Sequence, residues 1–445
     1  MGVRPGDIVL SLLNRRRDTV RALLAVSAAG GILAPVNSRL ASGAMRAVLA
    51  YLRPDWILVD ESLARVLDRH TAFLPPRARW IAMPGDGSAN TWRRLEATAI
   101  KASIPDPAPG DVCYVDFTSG SLGTPKGVPR THGSIWAITQ SAISALSLRS
   151  EDRHLSLFAP FAHPHEAVAR AASLGGALVC VETLRPSAIA HAVMRHAVTC
   201  LMAVPTVYGL LARRIDDRRF STVRLLESGG AVTPERLINA FRIQLGVPLT
   251  PVWGCTEAGG IALAGAAPSR PEGAVGKLCP GFEARLAPCD PSEFAHGPER
   301  GELVLRGPSL AGEYFRLPVE TARAFRQGWY HSGDVFSCDP DGSYFFHGRT
   351  DEMIKVKGLK VFPTEIEQAL LRHPDVAEAA VVGGGDTDGH PIAFVVPNPG
   401  VNLTDRSLRA FCRDHLAPFK VPRIIQRPAL PKSTSGKILK RSLRQ

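Results

Sequence analysis

Short apolar runs recur along the chain and are separated by stretches long enough to form a helix. The clearest runs are bounded by glycine, proline or charged residues and cover 177–181, 200–204 and 223–226. Runs of this length without polar alternation are typical of strands buried on both faces of a parallel sheet. The pattern therefore predicts an α/β fold with a substantially parallel sheet. A further strand is predicted over 302–306.

A second pattern begins after residue 348 and continues to the end of the sequence. Thr364 and Glu367 have the spacing of a capping box, which predicts a helix that ends at about residue 373. The pattern also predicts two strands and a second helix, over 376–382, 392–396 and 405–415. We therefore divide the chain into a large N-terminal α/β domain, residues 1–348, and a small α+β C-terminal domain, residues 349–445.

Composition and charge limit the class of protein. The chain has 445 residues, which exceeds the usual size of one compact domain. Its 45% hydrophobic and 21% charged residues are those of an ordinary globular protein rather than a disordered one. The net charge of +12 is spread along the chain without a recognised nucleic-acid-binding module. Small polyanionic ligands explain the sign of this charge, so we expect no nucleic-acid partner.

The cysteines and the apolar segments indicate the cellular location of the protein. The eight cysteines include no CxxC pair and no close Cys/His set, which argues against disulfides and structural zinc and favours a reducing, cytoplasmic location. The apolar run 8–13 is short and lacks a small-residue cleavage site, so we predict no signal peptide. The run 23–36 is interrupted by glycine and proline and is too short for a membrane span.

The first candidate site is the loop 118–127, with the sequence Thr-Ser-Gly-Ser-Leu-Gly-Thr-Pro-Lys-Gly, which follows the apolar run 112–117. Glycines let backbone N–H groups converge, hydroxyls add uncharged donors, and Lys126 supplies a mobile cation. The loop therefore predicts a polyphosphate site, although a surface turn with a chance lysine has the same composition. It is not the common P-loop, because Gly127 rather than Ser or Thr follows the lysine.

Five further motifs follow this loop. They are Ser228-Gly229-Gly230-Ala231, Trp253-Gly254-Cys255-Thr256-Glu257, His331-Ser332-Gly333-Asp334, Gly348-Arg349-Thr350-Asp351 with 355–360, and Pro431 to Lys437. In this order the six motifs resemble those of the adenylate-forming superfamily, which contains acyl-CoA synthetases, adenylation domains of nonribosomal peptide synthetases, and luciferases. The resemblance extends from about Gly6 to the end of the chain. It implies the ANL fold of that superfamily, here with a shortened N-terminus and with a mobile C-terminal domain.

The resemblance implies an ATP site. Residues that would hold the β and γ phosphates are Thr118, Ser119, Gly120, Ser121, Gly123, Thr124 and Lys126. Residues that would line the adenine and acyl pocket are Gly229, Gly230, Ala231 and Gly254, together with Trp253, whose flat ring stands where the family usually has tyrosine. Asp334 would accept hydrogen bonds from the ribose, with help from Arg349. Thr256 would contact phosphate and, with Glu257, hold Mg²⁺.

The resemblance also implies a two-step reaction. Attack of a carboxylate on the α-phosphate of ATP gathers negative charge, which Lys437 would stabilise together with Lys126 and the Glu257 site. The acid is already ionised near neutral pH, so this step needs no general base. The C-terminal domain would then rotate about Asp351 and present Gly358 to the pantetheine arm of the thiol substrate. The expected cosubstrate is CoA, or the phosphopantetheine of a carrier protein.

The acid-binding region is predicted around residues 159–165. Amino-acid-activating relatives carry an aspartate here. This chain instead has His163, which resembles the histidine found in aryl- and acyl-activating members. His163, Gly230, Gly254 and Gly259 are therefore assigned to the acid. A packed core histidine at His163 and a surface histidine at His165 are the alternatives. No further ligand lies near them in the sequence, so we expect no metal site there.

Three functions follow from these observations. The first is an acid:CoA ligase that forms AMP and pyrophosphate, the second an enzyme that loads a carrier protein, and the third a ligand-binding relative without turnover. The short passage 265–281 leaves no room for the insertion of fatty acyl-AMP ligases. Leu122 replaces a usual Thr or Ser of the phosphate loop, which predicts reduced rather than abolished activity.

Overall fold

The structure is a computed structural model that describes residues 2–83, 106–118, 125–212, 217–265, 270–288, 300–356, 359–384, 389–432 and 438–443. In this part the helices are α1 Arg16–Ala28, α2 Ser42–Leu52, α3 Ala64–Asp68, α4 His132–Ala145, α5 Pro164–Leu174, α6 Pro186–His196, α7 Pro205–Ala212, α8 Glu235–Leu245, α9 Pro318–Ala324, α10 Pro363–Arg372 and α11 Asp405–His415. Short 3₁₀ helices are Glu61–Leu63, Thr71–Phe73, Asp217–Phe220, Thr350–Glu352, Pro418–Lys420 and Lys440–Leu443.

The strands form four sheets. They are β1 Ile8–Leu12, β2 Ile32–Pro35, β3 Trp56–Asp60, β4 Arg79–Met83, β5 Val112–Phe117, β6 Gly127–Thr131, β7 Arg153–Ser156, β8 Ala177–Val179, β9 Cys200–Ala203, β10 Leu225–Ser228, β11 Leu249–Cys255, β12 Gly260–Ala264, β13 Gly276–Leu278, β14 Glu283–Ala287, β15 Gly301–Arg306, β16 Phe325–Arg326, β17 Trp329–Cys338, β18 Ser343–Arg349, β19 Ile354–Val356, β20 Leu359–Val361, β21 Val376–Gly383, β22 Pro391–Pro397 and β23 Arg423–Gln426.

The first sheet has six strands in the order β4-β3-β1-β2-β5-β6. Its strands pair in parallel except β5 and β6, which form an antiparallel pair. Strand β1 is buried along its whole length, which explains why all of its residues except Ser11 are apolar. The predicted phosphate loop connects β5 to β6 and therefore begins and ends at one edge of this sheet.

The second sheet has twelve strands and changes character in the middle. Strands β7 to β11 pair in parallel, as the apolar runs predict, and are covered by helices such as α6 and α8. From β12 onward the pairs are antiparallel, so the expectation of a substantially parallel sheet holds for only half of it. The change occurs at β11, whose residues 249–251 pair in parallel with β10 and whose residues 252–255 pair antiparallel with β12.

The C-terminal part contains the three-stranded sheet β21-β22-β23 packed against α10 and α11. The predicted strands and both predicted helices are present, and α11 has the predicted limits. The predicted capping box is wrong: α10 starts at Pro363, its N-cap is Phe362, and Glu367 instead accepts a hydrogen bond from the backbone N–H of Val381. Pro363 takes the first helical position because its fixed φ suits a helix start.

One arginine joins the C-terminal part to the second sheet. Arg236 of α8 donates hydrogen bonds to the carbonyl oxygens of Val376, at 2.5 Å, and Ala377, at 2.9 Å. Strand β18 ends at Arg349 and leads through Thr350–Glu352 into β19. The division at residue 348 stays a prediction. Among the residues that the structure describes, no helix combines the length and apolar character needed to cross a membrane.

Candidate active site

The two ends of the predicted phosphate loop are held together. The backbone N–H of Thr118 donates to the carbonyl of Lys126 at 3.0 Å, and the hydroxyl of Tyr51 donates to the carbonyl of Pro125 at 3.1 Å. The predicted residues between them, Ser119, Gly120, Ser121, Gly123 and Thr124, lie outside the described residues, as does Leu122. Only the two ends of the loop are therefore located, and Lys126 at one of them lies beside the groups discussed next.

Lys126 and Glu257 are both held by Tyr314. The Tyr314 hydroxyl donates a 2.5 Å hydrogen bond to Oε1 of Glu257, and Nζ of Lys126 lies 4.6 Å from the centre of the Tyr314 ring. Burial, reinforced by the Glu257 carboxylate, raises the pKa of Tyr314 above its ordinary range. The phenol therefore stays a donor. Sequence reasoning missed Tyr314, and no local motif would have revealed it.

Thr256 and Glu257 lie side by side in the buried turn 256–259, which joins β11 to β12. Within the described part of the chain, Oε2 of Glu257 has no hydrogen-bond partner. A carboxylate and a hydroxyl are the hard oxygen donors that Mg²⁺ prefers. The donor set therefore fits the predicted magnesium site.

Three predicted nucleotide-binding residues from three separate motifs meet. The indole N–H of Trp253 donates to Oδ2 of Asp334 at 2.8 Å, and Nη1 of Arg349 donates to Oδ1 at 2.7 Å. The antiparallel register of β17 and β18 places Asp334 opposite Arg349 and so explains their pairing. Arg349 also donates through Nε to Asp351, the predicted hinge residue, at 3.0 Å. The predicted ribose-binding residue and the predicted hinge residue thus share one guanidinium.

The predicted pocket glycines lie where a side chain would not fit. A Cβ on Gly229, which follows β10, would meet the side chain of Val252 at 2.7 Å. On Gly254 it would collide with the carbonyl oxygen of Gly260 on the neighbouring strand. The next two predicted residues follow at once in the chain, Gly230 with a φ of +80° and Ala231 with an exposed side chain. Glycine is therefore required at 229 and 254 by close packing against neighbouring strands of the protein.

The acid-binding candidates His163 and Gly259 are brought together by buried residues. His163 caps α5, and its Nδ1 lies 2.7 Å from Oδ2 of Asp116, the buried penultimate residue of β5. His165 bonds through Nε2 to the carbonyl oxygen of Gly259 at 2.8 Å. His165 is 1% exposed, so the surface alternative for it is wrong.

Asp116 corrects another expectation. The absence of a further ligand near the two histidines was argued from sequence, but the fold places this carboxylate beside His163. A charged residue inside an otherwise apolar strand was the signal that could have found it, since a buried charge needs a partner. Glu166 also lies near, with Oε1 3.7 Å from Nδ1 of His163, and is itself paired with the buried Arg170.

The charges of this cluster follow from burial and pairing. Burial disfavours a charged imidazole, but the Asp116 carboxylate outweighs it and raises the pKa of His163 above its ordinary value. Burial raises the pKa of Asp116, but the neighbouring His163 outweighs burial and lowers it. For His165 burial prevails and lowers the pKa to about 4. An ion pair therefore lies beside a neutral imidazole.

Two predicted residues of the C-terminal part, Gly358 and Lys437, lie outside the described residues. The neighbouring Lys440 is described, and its Nζ lies 2.7 Å from a carboxylate oxygen of Glu352 and 2.9 Å from one of Glu367. The segment that follows Lys437 is therefore tied both to the region of the predicted hinge and to α10.

Known proteins resemble this chain in sequence and fold. Residues 1–315 match the model of the AMP-binding enzyme family, and residues 365–437 match that of the AMP-binding enzyme C-terminal domain. A feruloyl-CoA synthase of an Amycolatopsis species is 33% identical, over 100% of this chain and 89% of its own. An anthranilate CoA ligase solved with anthranoyl-AMP has a TM-score of 0.89 and 27% identity, covering 100% of this chain and 88% of its own. ATP-bound MatB from Rhodopseudomonas palustris has a TM-score of 0.90 and 25% identity, with 100% and 89% covered.

The fold is shared with an anthranilate CoA ligase and with ATP-bound MatB, and the sequence matches the AMP-binding enzyme family. The chain belongs to the AMP-binding enzyme family, and hence to the adenylate-forming superfamily that its motifs resemble. It is an AMP-forming acid–thiol ligase of the acyl-CoA synthetase type, which converts an acid and ATP to acyl-AMP and transfers the acyl group to CoA. The predicted fold class and enzyme class are confirmed, and the non-catalytic alternative is not retained.

Proposed function

We propose that this enzyme activates an aryl or acyl carboxylic acid without an α-ammonium group. The observation that carries the proposal is the Asp116–His163 pair, because the carboxylate in the acid-binding region is already neutralised and buried. An ammonium group would need a free carboxylate there. The two relatives named for feruloyl and anthranilate substrates, both aromatic acids, support the same class.

We infer a division of labour among the site residues. Trp253 and the glycines at 229, 230 and 254 bind the adenosine, and Asp334 with Arg349 binds the ribose. Thr118, Lys126 and the loop between them hold the β and γ phosphates. Mg²⁺, held by Glu257 and Thr256, supplies positive charge to the phosphates. Lys437 stabilises the charge that develops as the carboxylate attacks the α-phosphate.

The second half-reaction would use the same pocket after rotation of the C-terminal domain, residues 349–445. Asp351 serves as the hinge, and the Arg349–Asp351 hydrogen bond of 3.0 Å supports this because it joins the pivot to the ribose-binding pair. Gly358 would then line the pantetheine channel. The location we propose is the cytoplasm, which the unpaired cysteines of the described residues support.

The direct test is acid-dependent exchange of labelled pyrophosphate into ATP over a panel of aryl, short-chain, medium-chain and α-amino acids. We expect exchange with aryl or acyl acids and none with amino acids. Faster exchange with an amino acid than with its deaminated analogue would refute the assigned acid class. Addition of CoA or of candidate carrier proteins to the best acid then identifies the thiol acceptor, and CoA is the expected one.

A further inference from the structure

Three ligand-bearing side chains from two distant segments converge at the end of β5 and the start of α5. One ligand atom from each of Asp116, His163 and His165 lies within 4.8 Å of the other two. Nδ1 of His165 is buried and has no hydrogen-bond partner among the described residues, and Nδ1 of His163 lies 2.7 Å from Oδ2 of Asp116. We propose that these three residues bind a divalent transition-metal ion, with Zn²⁺ as the best match.

His165 has the arrangement of a metal ligand. Its Nε2 lies 2.8 Å from the carbonyl oxygen of Gly259. A carbonyl can only accept, so Nε2 carries the hydrogen and Nδ1 keeps its lone pair. Histidines that bind metals are commonly oriented in this way by a hydrogen bond from the second ring nitrogen. The lone pair on Nδ1 needs a cation or a donor, and no described residue supplies one.

Asp116 and His163 supply the second and third ligands. Oδ2 of Asp116 and Nδ1 of His163 are 2.7 Å apart and face each other as an ion pair. Two ligands of a tetrahedral Zn²⁺ lie about 3.3 Å apart, so a small separation of the side chains would admit the ion. Glu166 lies farther out, with Oε1 3.7 Å from Nδ1 of His163 and its other carboxylate oxygen paired with Arg170.

The surrounding backbone holds these ligands in place. His163 has a φ of +49°, a strained conformation for a residue with a side chain, and Pro164 follows it directly. The other oxygen of Asp116 accepts the backbone N–H of Phe117 at 2.9 Å. Strain of this kind persists where the structure requires a particular side-chain position. Here it directs an imidazole toward a buried carboxylate.

The ligand types separate this site from the proposed magnesium site at Glu257. Two imidazoles and carboxylate oxygens favour Zn²⁺, whereas Mg²⁺ prefers oxygen alone. A bound ion would replace the hydrogen on Nδ1 of His163. It would also link the start of α5 to the end of β5. The proposal stands on these three residues and does not depend on the identity of the acid substrate.

Zinc uptake by the metal-stripped, tag-free enzyme tests the proposal. Zn²⁺ is titrated in competition with a chromophoric chelator, and Co²⁺ is added separately to obtain a visible spectrum. We expect one Zn²⁺ per chain and a Co²⁺ spectrum typical of four or five nitrogen and oxygen ligands. Absence of stoichiometric uptake by the folded wild-type enzyme would overturn the proposal without any variant.

Matched variants locate the ion. Asp116→Asn and His165→Gln should each weaken Zn²⁺ binding at least tenfold, whereas His154→Gln should bind as the wild type does. His154 is a suitable control because it is also a buried histidine with an unpartnered nitrogen. Equal binding by all variants, or loss of zinc in Glu257→Gln, would show that the ion lies elsewhere. Pyrophosphate exchange measured with and without Zn²⁺ reports separately on the proposed function.

Discussion

Tyr314 donates a 2.5 Å hydrogen bond to Glu257, a residue 57 positions earlier in the chain. The same ring lies 4.6 Å from Nζ of Lys126. One buried aromatic side chain thus positions both the carboxylate proposed to hold Mg²⁺ and the lysine proposed to bind phosphate. This makes Tyr314 a positioning residue rather than a catalytic one.

We expect Tyr314→Phe to lower kcat/KM for MgATP about tenfold and to raise the Mg²⁺ concentration needed for half-maximal exchange. The ring remains beside Lys126, but the hydrogen bond to the Glu257 carboxylate is lost, and bonds to charged groups contribute about 1.5–3 kcal/mol. Pyrophosphate exchange over a Mg²⁺ titration measures the effect. Tyr344→Phe, which removes a hydroxyl outside the site, should leave both quantities unchanged. An unchanged Mg²⁺ requirement in the Tyr314 variant would contradict the assigned role.

Asp334→Asn should raise KM for ATP at least tenfold with a smaller effect on KM for the acid. The amide has the size of the carboxylate, but its nitrogen cannot accept, so it loses one of the hydrogen bonds from Trp253 and Arg349 and offers the ribose no charged acceptor. Initial-rate measurements with each substrate varied in turn separate the two constants. Asp341→Asn, on an exposed turn, is the matched control. A variant whose two constants rise equally would point to general damage instead.

Asp152 makes stability depend on acid pH. Burial raises its pKa, but hydrogen bonds from the Arg224 side chain, the Arg149 backbone N–H and Thr199 outweigh this and lower the pKa to about 2. The unfolded value is about 3.9, so the carboxylate stabilises the fold above that pH, and the contribution disappears as the pH falls from about 4 toward 2.

We therefore expect Asp152→Asn to melt at a lower temperature than the wild type at pH 6, with a deficit on the order of 2 kcal/mol. The difference should shrink as the pH is lowered below 4, because the wild-type carboxylate then becomes protonated as well. Thermal unfolding of both proteins across this range measures the change. A difference that stays constant with pH would show that the loss arises from packing alone.

Lys440→Met should destabilise the C-terminal domain by about 2 kcal/mol, because it leaves Glu352 and the largely buried Glu367 without their cation. The double variant Lys440→Met/Glu367→Gln should recover part of this loss. Lys432→Met, which removes a more exposed pair with Glu378, should cost less than about 1 kcal/mol. Denaturant unfolding compares the three. No recovery in the double variant would mean that Glu367 is not the group left unpaired.

Local patterns predicted several of the strands and helices, but they did not reveal contacts between distant segments. The buried runs at β9 and β10 and the amphipathic helix α11 were recognisable because burial leaves a periodic signature. Asp116 was overlooked because a single carboxylate does not interrupt an apolar run. The antiparallel half of the second sheet was overlooked because strand direction is not encoded in a short run.

The candidate site shows the same limit. The motifs identified Trp253, Asp334 and Arg349 separately, but their hydrogen bonds depend on strand register, which the sequence does not display. The capping box failed for a related reason. Glu367 had the correct spacing, yet the tertiary structure uses it for Val381 and Lys440 instead.

Among the described residues, the hydrogen bonds from Arg236 to the C-terminal part go to main-chain oxygens, those of Val376 and Ala377. Every amino acid has such an oxygen, so this contact does not depend on which side chains the C-terminal part carries at these positions. A chimaera that receives its C-terminal domain from a relative would keep these two hydrogen bonds, provided that the main chain at the start of β21 has the same conformation. Residues 376 and 377 can therefore change in evolution without loss of this contact, as long as Arg236 is kept.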